Sequence, residues 1–368
     1  MKTLLCFGTR PEAIKMAPVI SALKNNHLDY EVCVTGQHRE MLDQVLEFFE
    51  IKPDYDLNLM QKEQSLNSLS ALILEKTNVV LKEAKPDLIL VQGDTTSAFI
   101  AALAAFNRGI KVGHIEAGLR TQNLQSPFPE EANRQLLSRI ADFHFVPTHS
   151  NKVNLLKEGV SVDKIFITGN TVIDALKMAE KKLNSGFEND ELIKLKKLLI
   201  KNKETLLVTG HRRESFKSGL GEICKGLREF AERNDVQIIF PVHLNPEVRR
   251  KVFKILDNHP NIHLIEPVSY PSFVWLMMQA SVIISDSGGV QEEAPSLKKP
   301  VLVTREFTER EETVIAGFST LVGTSGEMLL KKLKGILENP PNFTGVQNPY
   351  GNGTAAQKIV EIIKYQNV

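Results

Sequence analysis

The chain has 368 residues, of which 42% are hydrophobic and 24% charged, a length and balance that suit about two globular domains with sizeable cores and exclude a largely disordered chain. The formal net charge of +1 lacks the basic excess of a nucleic-acid binder, so a small molecule is the expected partner. Cys6, Cys33 and Cys224 form neither a CxxC pair nor a zinc spacing, residues 3–7 are too short an apolar run for a signal peptide, and no run approaches a membrane span. These features predict a cytoplasmic protein with reduced thiols.

Residues 2–8 are an apolar, β-rich run, and Pro11 follows where a helix can begin, because a first-turn residue does not need its N–H. Ile14, Ala17, Val19, Ile20 and Leu23 then share one helical face. In an open α/β sheet the first strand-to-helix junction, here Gly8-Thr9-Arg10-Pro11, borders the ligand crevice and would put Arg10 and Lys15 in reach of phosphate. Surface charge is the plain alternative for both, and the glycine-led setting favours the functional one. Residues 31–35 are the second strand, and Gln37, His38 and Arg39 open a helix over 41–49. Alone, His38 reads as a surface or capping histidine.

A stripe of Leu66, Leu69, Ile73 and Val80 leads to a strand over 87–92 that ends in Gly93-Asp94-Thr95-Thr96, where Asp94 either caps the next helix or faces a ligand. The strand 111–115 ends in Glu116-Ala117-Gly118-Leu119-Arg120, and Ser126-Pro127-Phe128-Pro129-Glu130-Glu131 begins another helix. Asp94, Glu116 and Glu130 thus gather carboxylates on the side where such folds bind ligands, which suits a general acid and base whose environments differ. Capping roles are the alternative.

Strands at 143–146 and 164–168 complete the first series, and Gly169-Asn170 is a natural boundary. A helix over 172–183 runs into a Lys- and Asn-rich stretch, 181–203, most simply a solvated helix and loop. Alternation then restarts with strands at 205–209, 236–241 and 262–265 and helices at 220–232, 246–258 and 272–279. Two such series predict two doubly wound domains facing each other across a cleft. The second has polar junctions at Gly210-His211-Arg212-Arg213-Glu214 and around His243. A histidine there can meet phosphate or sugar, or only the backbone. Phe273, after Tyr270-Pro271, can stack on a base or fill the core.

The strand 281–284 ends in Asp286-Ser287-Gly288-Gly289, a turn opening a helix whose unpaired N–H groups and positive end suit a diphosphate. One turn on, Glu292 and Glu293 offer a carboxylate for the paired hydroxyls of a ribose, although an ordinary tight turn reads equally well from this segment alone. Arg310 follows the strand 301–304, and residues 348–354 form a turn that caps a last helix over 355–365.

Taken together, residues 7–18 (Phe-Gly-Thr-Arg-Pro-Glu-Ala-Ile-Lys-Met-Ala-Pro), Gly93-Asp94-Thr95-Thr96, His114-Ile115-Glu116-Ala117-Gly118-Leu119-Arg120-Thr121, Thr209-Gly210-His211-Arg212-Arg213-Glu214, residues 286–295 (Asp-Ser-Gly-Gly-Val-Gln-Glu-Glu-Ala-Pro) and Asn348-Pro349-Tyr350-Gly351 resemble the non-hydrolysing UDP-N-acetylglucosamine 2-epimerases. The resemblance runs in order from residue 1 to the final helix. It implies an α/β chain of the GT-B fold, with two Rossmann-like doubly wound domains and a ligand cleft between them. Their expected bounds are residues 1–169, joined by the final helix 354–368, and a UDP-binding domain at 170–353. It also implies a cytoplasmic homodimer that works on UDP-N-acetylglucosamine and UDP, with no metal, no cofactor, no nucleic acid and no membrane. The lack of a GxGxxG fingerprint agrees with an epimerase that does not use NAD.

The implied reaction inverts C2 of UDP-N-acetylglucosamine to give UDP-N-acetylmannosamine for cell-surface polysaccharide, by eliminating UDP to 2-acetamidoglucal and adding it back. By motif match, Arg10, Lys15, His211, Ser287, Gly288, Gly289 and Arg310 hold the diphosphate and its neighbours, Glu293 the ribose and Phe273 the uracil side. Asp94, Glu116 and Glu130 are the acid/base candidates, with their order open, and His211 is either a catalytic group or a diphosphate ligand. The rivals are an epimerase of a UDP-2,3-diacetamido uronic acid, a GT-B glycosyltransferase and a nucleotide-sugar sensor without turnover.

One departure concerns regulation. Some family members are activated by a second substrate molecule held through a Gln-His-Arg-Gln segment and a downstream arginine. Here Gln37, His38 and Arg39 remain, with His243 grouped with them as a candidate regulatory site, but Glu40 and Glu63 stand at the other two positions. Two carboxylates repel a diphosphate, so activation by substrate is expected to be weaker or absent. A sigmoidal curve that becomes hyperbolic in Gln37→Ala would contradict this.

Overall fold

Short apolar runs buried on both faces pair as parallel strands, and the segments between them must cross back as helices. The computed structural model describes residues 1–36, 39–59, 64–210, 219–233 and 235–365, and it divides into two compact units, Met1–Met178 with Tyr350–Val368, and Ala179–Pro349. In the first, the chain runs β1 (Lys2–Phe7), α1 (Arg10–Asn25), β2 (Asp29–Val34), α2 (Arg39–Phe48), β3 (Tyr55–Asp56), α3 (Leu66–Ala84), β4 (Leu88–Gln92) and α4 (Thr96–Phe106). It continues through β5 (Lys111–Ile115), α5 (Glu130–Ile140), β6 (Phe143–Val146), α6 (His149–Lys157), β7 (Ile165–Ile167) and α7 (Thr171–Asn184), within which the division falls.

Among the described residues these strands form one parallel sheet in the order β3-β2-β1-β4-β5-β6-β7. The order reverses between β1 and β4, and the crevice at such a switch point is where open α/β sheets take ligands. Leu4, Leu5, Cys6 and Phe7 of β1 are buried, and the alanine face of α4 (Ala98, Ala101, Ala102, Ala105) lets that helix lie close on the sheet.

The second unit runs α8 (Asp190–Leu198), β8 (Glu204–Thr209), α9 (Leu220–Ala231), β9 (Val236–Pro241), α10 (Pro246–Leu256), β10 (Ile262–Ile265), α11 (Tyr270–Gln279), β11 (Val282–Ser285), α12 (Gly288–Glu293), β12 (Val301–Val303), α13 (Glu311–Ile315), β13 (Ser319–Leu321) and α14 (Gly326–Glu338). Its parallel sheet has the order β10-β9-β8-β11-β12-β13, with the switch between β8 and β11. The stretch read as solvated carries α8, whose Leu192 and Leu195 are buried and whose Asn189 cap accepts from the Leu192 N–H at 2.8 Å. Its lysines hide an amphipathic helix.

The last helix, α15 (Ala355–Tyr365), belongs to the first unit and packs on α1. Its first N–H groups, those of Ala355 and Ala356, donate to the Asp174 carboxylate of α7 at 3.2 and 2.9 Å, which caps the positive helix end with a charge. Among the described residues no helix is long and apolar enough to cross a membrane.

In the core of the first sheet His114 of β5 stands beside His144 of β6. The Nε2–H of His114 donates to the Gly93 carbonyl at 2.8 Å, tying the end of β4 to β5. Burial, with His144 adding to it, pushes the His114 pKa down to about 3, and burial with Lys164 and Arg120 holds His144 at about 4. A histidine whose folded pKa is depressed gives stability that is full above its ordinary value of 6.5 and is lost as pH falls toward the folded value. Urea unfolding should therefore show a loss of stability between about pH 6.5 and pH 4, shallower in His114→Gln, whose amide can still donate to Gly93; an unchanged slope would contradict this.

Candidate functional site

At the carboxyl end of β1, Thr9 caps α1 and Glu12 turns back over the junction in a capping box. Glu12 Oε2 accepts from the Gly8 and Thr9 N–H groups at 2.9 and 2.7 Å, and Oε1 accepts from the Thr95 hydroxyl at 2.5 Å. Burial raises the pKa of this carboxyl while those donors pull it down. One side chain thus joins the turns after β1 and β4. Glu12 lies inside the quoted motif, and its Thr-x-x-Glu spacing was the signal for this role.

Arg10 opens α1 and Lys15 lies on its inner face. The Lys15 ammonium is paired with Glu116 Oε2, and Gln92 Nε2 donates to the same oxygen at 3.1 Å. Glu116 holds φ at 66°, the left-handed region, so the chain turns sharply as β5 ends. The rest of this motif clamps the loop down. Gly118, with φ at 87°, lies so close to α6 that a Cβ would come within 2.4 Å of the Asn151 carbonyl oxygen. Arg120 grips Glu158 at 2.7 and 2.9 Å and donates to Ser138 Oγ at 2.6 Å.

Asp94 does not cap the helix after β4, because Thr95 does, accepting from the Ala98 N–H at 3.0 Å. Its Oδ2 instead takes Nε and Nη2 of Arg134, from α5, at 2.8 and 2.6 Å. The adjacent acids Glu130 and Glu131 divide in role. Glu131 is fully buried and accepts from the Thr121 and Gln122 N–H groups, Gln135 and Arg134. Burial opposes its ionisation, but these donors outweigh it and hold the carboxyl below the usual range. Glu130 begins α5 half-buried, and its Oε2 is buried without a hydrogen-bond partner among the described residues. The first unit therefore brings Lys15, Asp94 and Glu116 to one sheet edge, and the supporting Gln92, Glu131 and Arg134 escaped the sequence reading.

In the second unit the Ser287-Gly288-Gly289 turn follows β11, and the Ser287 N–H donates to Ser285 Oγ at 2.9 Å. Arg310 lies against the turn, since a Cβ on Gly288 would meet its Cζ at 2.8 Å. Only glycine leaves the guanidinium this room. Arg310 is fixed by Glu292 Oε1 at 2.9 and 2.8 Å and by Glu309 Oε2 at 2.8 Å. Its N–H donates to Thr308 Oγ1 at 3.1 Å; Thr308 donates to Gln291 Oε1 at 2.7 Å, and Gln291 Nε2 returns to the Ser287 carbonyl at 3.1 Å. Asn348 donates to the Glu292 carbonyl and to Ser296 Oγ, each at 2.8 Å, which gives that distant motif a job in bracing the turn.

Glu293 Oε1 accepts from the Tyr270 hydroxyl at 2.8 Å, and Phe273 sits half-buried in the first turn of the same helix, α11. His243 is exposed beyond β9, its Nδ1 accepting from the Asn245 N–H at 3.1 Å. Arg39 opens α2, while Gln37, His38, Glu63 and His211 lie outside the described residues.

The sequence profile of the UDP-N-acetylglucosamine 2-epimerase family matches residues 21–364. The chain belongs to this family. UDP-N-acetylglucosamine 2-epimerase of Salmonella typhimurium is similar at 50% identity over 374 residues, covering 100% of both chains. Among solved structures, UDP-GlcNAc 2-epimerase from Neisseria meningitidis bound to UDP-GlcNAc is 48% identical with a TM-score of 0.93, covering 99% of this chain and 100% of that one. The Methanocaldococcus jannaschii UDP-GlcNAc 2-epimerase in complex with UDP-GlcNAc and UDP is 36% identical at a TM-score of 0.83, again covering 99% and 100%. The 2-epimerase chain thus has an α/β fold of the GT-B type, built from two Rossmann-like parallel-sheet units.

In this 2-epimerase family member a methyl group at Gly288 must push Arg310 aside. Gly288→Ala is expected to lower the thermal unfolding temperature, because overpacking against the buried Arg310 costs about 1–3 kcal/mol. An unchanged unfolding temperature would show that Arg310 yields to the methyl group without loss of its ion pairs.

Proposed function

We propose that this chain is an isomerase that interconverts UDP-N-acetylglucosamine and UDP-N-acetylmannosamine by inverting C2 of the sugar. Beyond family membership, the observation that carries the reading is the pair of carboxylates that follow the adjacent strands β4 and β5 of the first sheet. Asp94 is held by Arg134, and Glu116 by Lys15. Both side chains are thus oriented by buried or half-buried cations at the ends of adjacent strands, where two acids can reach one ligand.

The hydrogen at C2 is not next to a carbonyl and resists direct removal. When the C1–O bond breaks, UDP leaves with the electron pair, the ring becomes cationic at C1 and the C2–H bond is acidified. A carboxylate takes that proton and 2-acetamidoglucal results. Delivery of a proton to the opposite face of C2 and return of the UDP oxygen to C1 complete the inversion, so the diphosphate must be stabilised as it leaves and kept in place.

In this scheme Ser287, Gly288, Gly289 and Arg310 hold the diphosphate together with Arg10, Lys15 and His211. Glu293 takes the ribose and Phe273 the uracil side, while Asp94, Glu116 and Glu130 move protons. The carboxylates belong to the unit Met1–Met178 with Tyr350–Val368, and the proposed UDP-binding turn to the unit Ala179–Pro349. A homodimer in the cytoplasm, making ManNAc-type precursors for surface polysaccharide, completes the proposal.

The test is proton NMR of UDP-N-acetylglucosamine with the purified protein in D2O, with no metal, NAD or acceptor added. UDP-N-acetylmannosamine carrying deuterium at C2 is expected. An unchanged spectrum from folded protein that binds UDP would overturn the reading in favour of another sugar or of binding alone. Asp94→Asn, Glu116→Gln and Glu130→Gln should each bind UDP and turn over about 10²–10⁴-fold more slowly, and near wild-type turnover in all three would sink the assignment.

A further inference from the structure

Arg134 is only 6% exposed, on the face of α5 that also buries Asn133, Leu137 and Ser138. A guanidinium so placed is costly unless anions meet it on more than one side. They do. On one side Nη1 reaches Glu131 Oε2 at 3.1 Å, and that carboxylate also accepts the Thr121 N–H at 3.0 Å, the Gln122 N–H at 3.2 Å and Gln135 Nε2 at 3.0 Å. Glu131 is therefore fixed to the loop that follows the Glu116 motif.

On the other side both Arg134 bonds, 2.8 Å from Nε and 2.6 Å from Nη2, converge on Oδ2 of Asp94 and leave Oδ1 out. The backbone of the same residue is held as well, its carbonyl accepting from Asn133 Nδ2 at 2.9 Å. Asp94 caps nothing, because Thr95 performs that task. Its side chain nevertheless has one orientation imposed on it by a buried pair of charges. A packing role for Arg134 would be met by Glu131 alone and would not need a partly exposed carboxylate at a strand end.

We propose that Arg134, anchored by Glu131, is a positioning residue for the epimerisation: it fixes the Asp94 carboxylate through Oδ2 so that Oδ1 is presented to the sugar. This rests on reading Asp94 as an acid/base group of the reaction. Arg134 acts on the proton transfer through Asp94 and has no share in holding UDP. Lysine cannot replace it, because a single ammonium does not reproduce the planar fork that meets Asp94 and Glu131 at once.

The test is a double-mutant cycle on the full chain with Arg134→Met, Asp94→Asn and the double variant, reading kcat, KM, UDP affinity by calorimetry and thermal unfolding. Arg134→Met should lower kcat on the order of 10²-fold with KM and UDP affinity within about threefold, and the double variant should be no slower than Asp94→Asn alone. Where Arg134→Met does not fold, Arg134→Lys and Glu131→Gln carry the same test, each with a reduced kcat that vanishes as a separate effect when Asp94→Asn is present. Losses that multiply in the double variant, or a loss confined to KM, UDP affinity or thermal stability, would overturn the proposal while Asp94 keeps its role. Wild-type turnover in Asp94→Asn would overturn the reading of Asp94 itself, and the positioning role with it.

Discussion

A carboxylate shut away from water must be given donors or it takes up a proton, and the first unit is organised around one such group, Glu12. It is 2% exposed and spends both oxygens on backbone and hydroxyl donors from two different strand-to-helix turns. Those turns flank the point where the strand order reverses. Arg10 and Lys15 follow one turn, and Asp94 precedes Thr95 in the other, so the relative placement of three candidate site residues depends on a residue with no proposed part in the chemistry.

The same economy recurs in both units. Lys15 on Glu116, Arg134 on Asp94, and Arg310 on Glu292 and Glu309 are cations already oriented by acids. A side chain held in this way has little rotational freedom left to lose when it engages a ligand. Removing one partner of a buried pair leaves the other charge stranded, so these positions are expected to tolerate little change. The two units differ in what the pairing protects. In the first it orients carboxylates, and in the second it sets the plane of a guanidinium against a glycine turn.

Much of this was legible in the sequence because the signals were periodic or chemically distinctive. The strand runs of both series and the glycine-bearing turns at their ends fall where the structure has them, since apolar period and glycine punctuation report directly on burial and backbone reversal. The strands Tyr55–Asp56 and Ser319–Leu321 were invisible, because they lack the apolar run that marked the short strands Ile165–Ile167 and Val301–Val303. Roles within motifs were harder to read. Glu130 and Glu131 are the same residue type side by side, and only their burial separates a candidate proton carrier from a fully committed anchor. Arg134 and Glu131, three apart on one helix, form a pair that helical spacing alone would have allowed. Gly118 and Arg120 stand in the same motif as Glu116, yet their contacts with α6 and Glu158 are those of a clamp.

The left-handed backbone of Glu116 carries an evolutionary implication. Holding a residue with a side chain at φ 66° costs about 1–3 kcal/mol that glycine would largely recover. Glycine there would also break the ion pair that Glu116 makes with the Lys15 ammonium, so any selection for heat resistance weighs the backbone gain against the lost pair. At this position backbone ease and charge pairing pull in opposite directions.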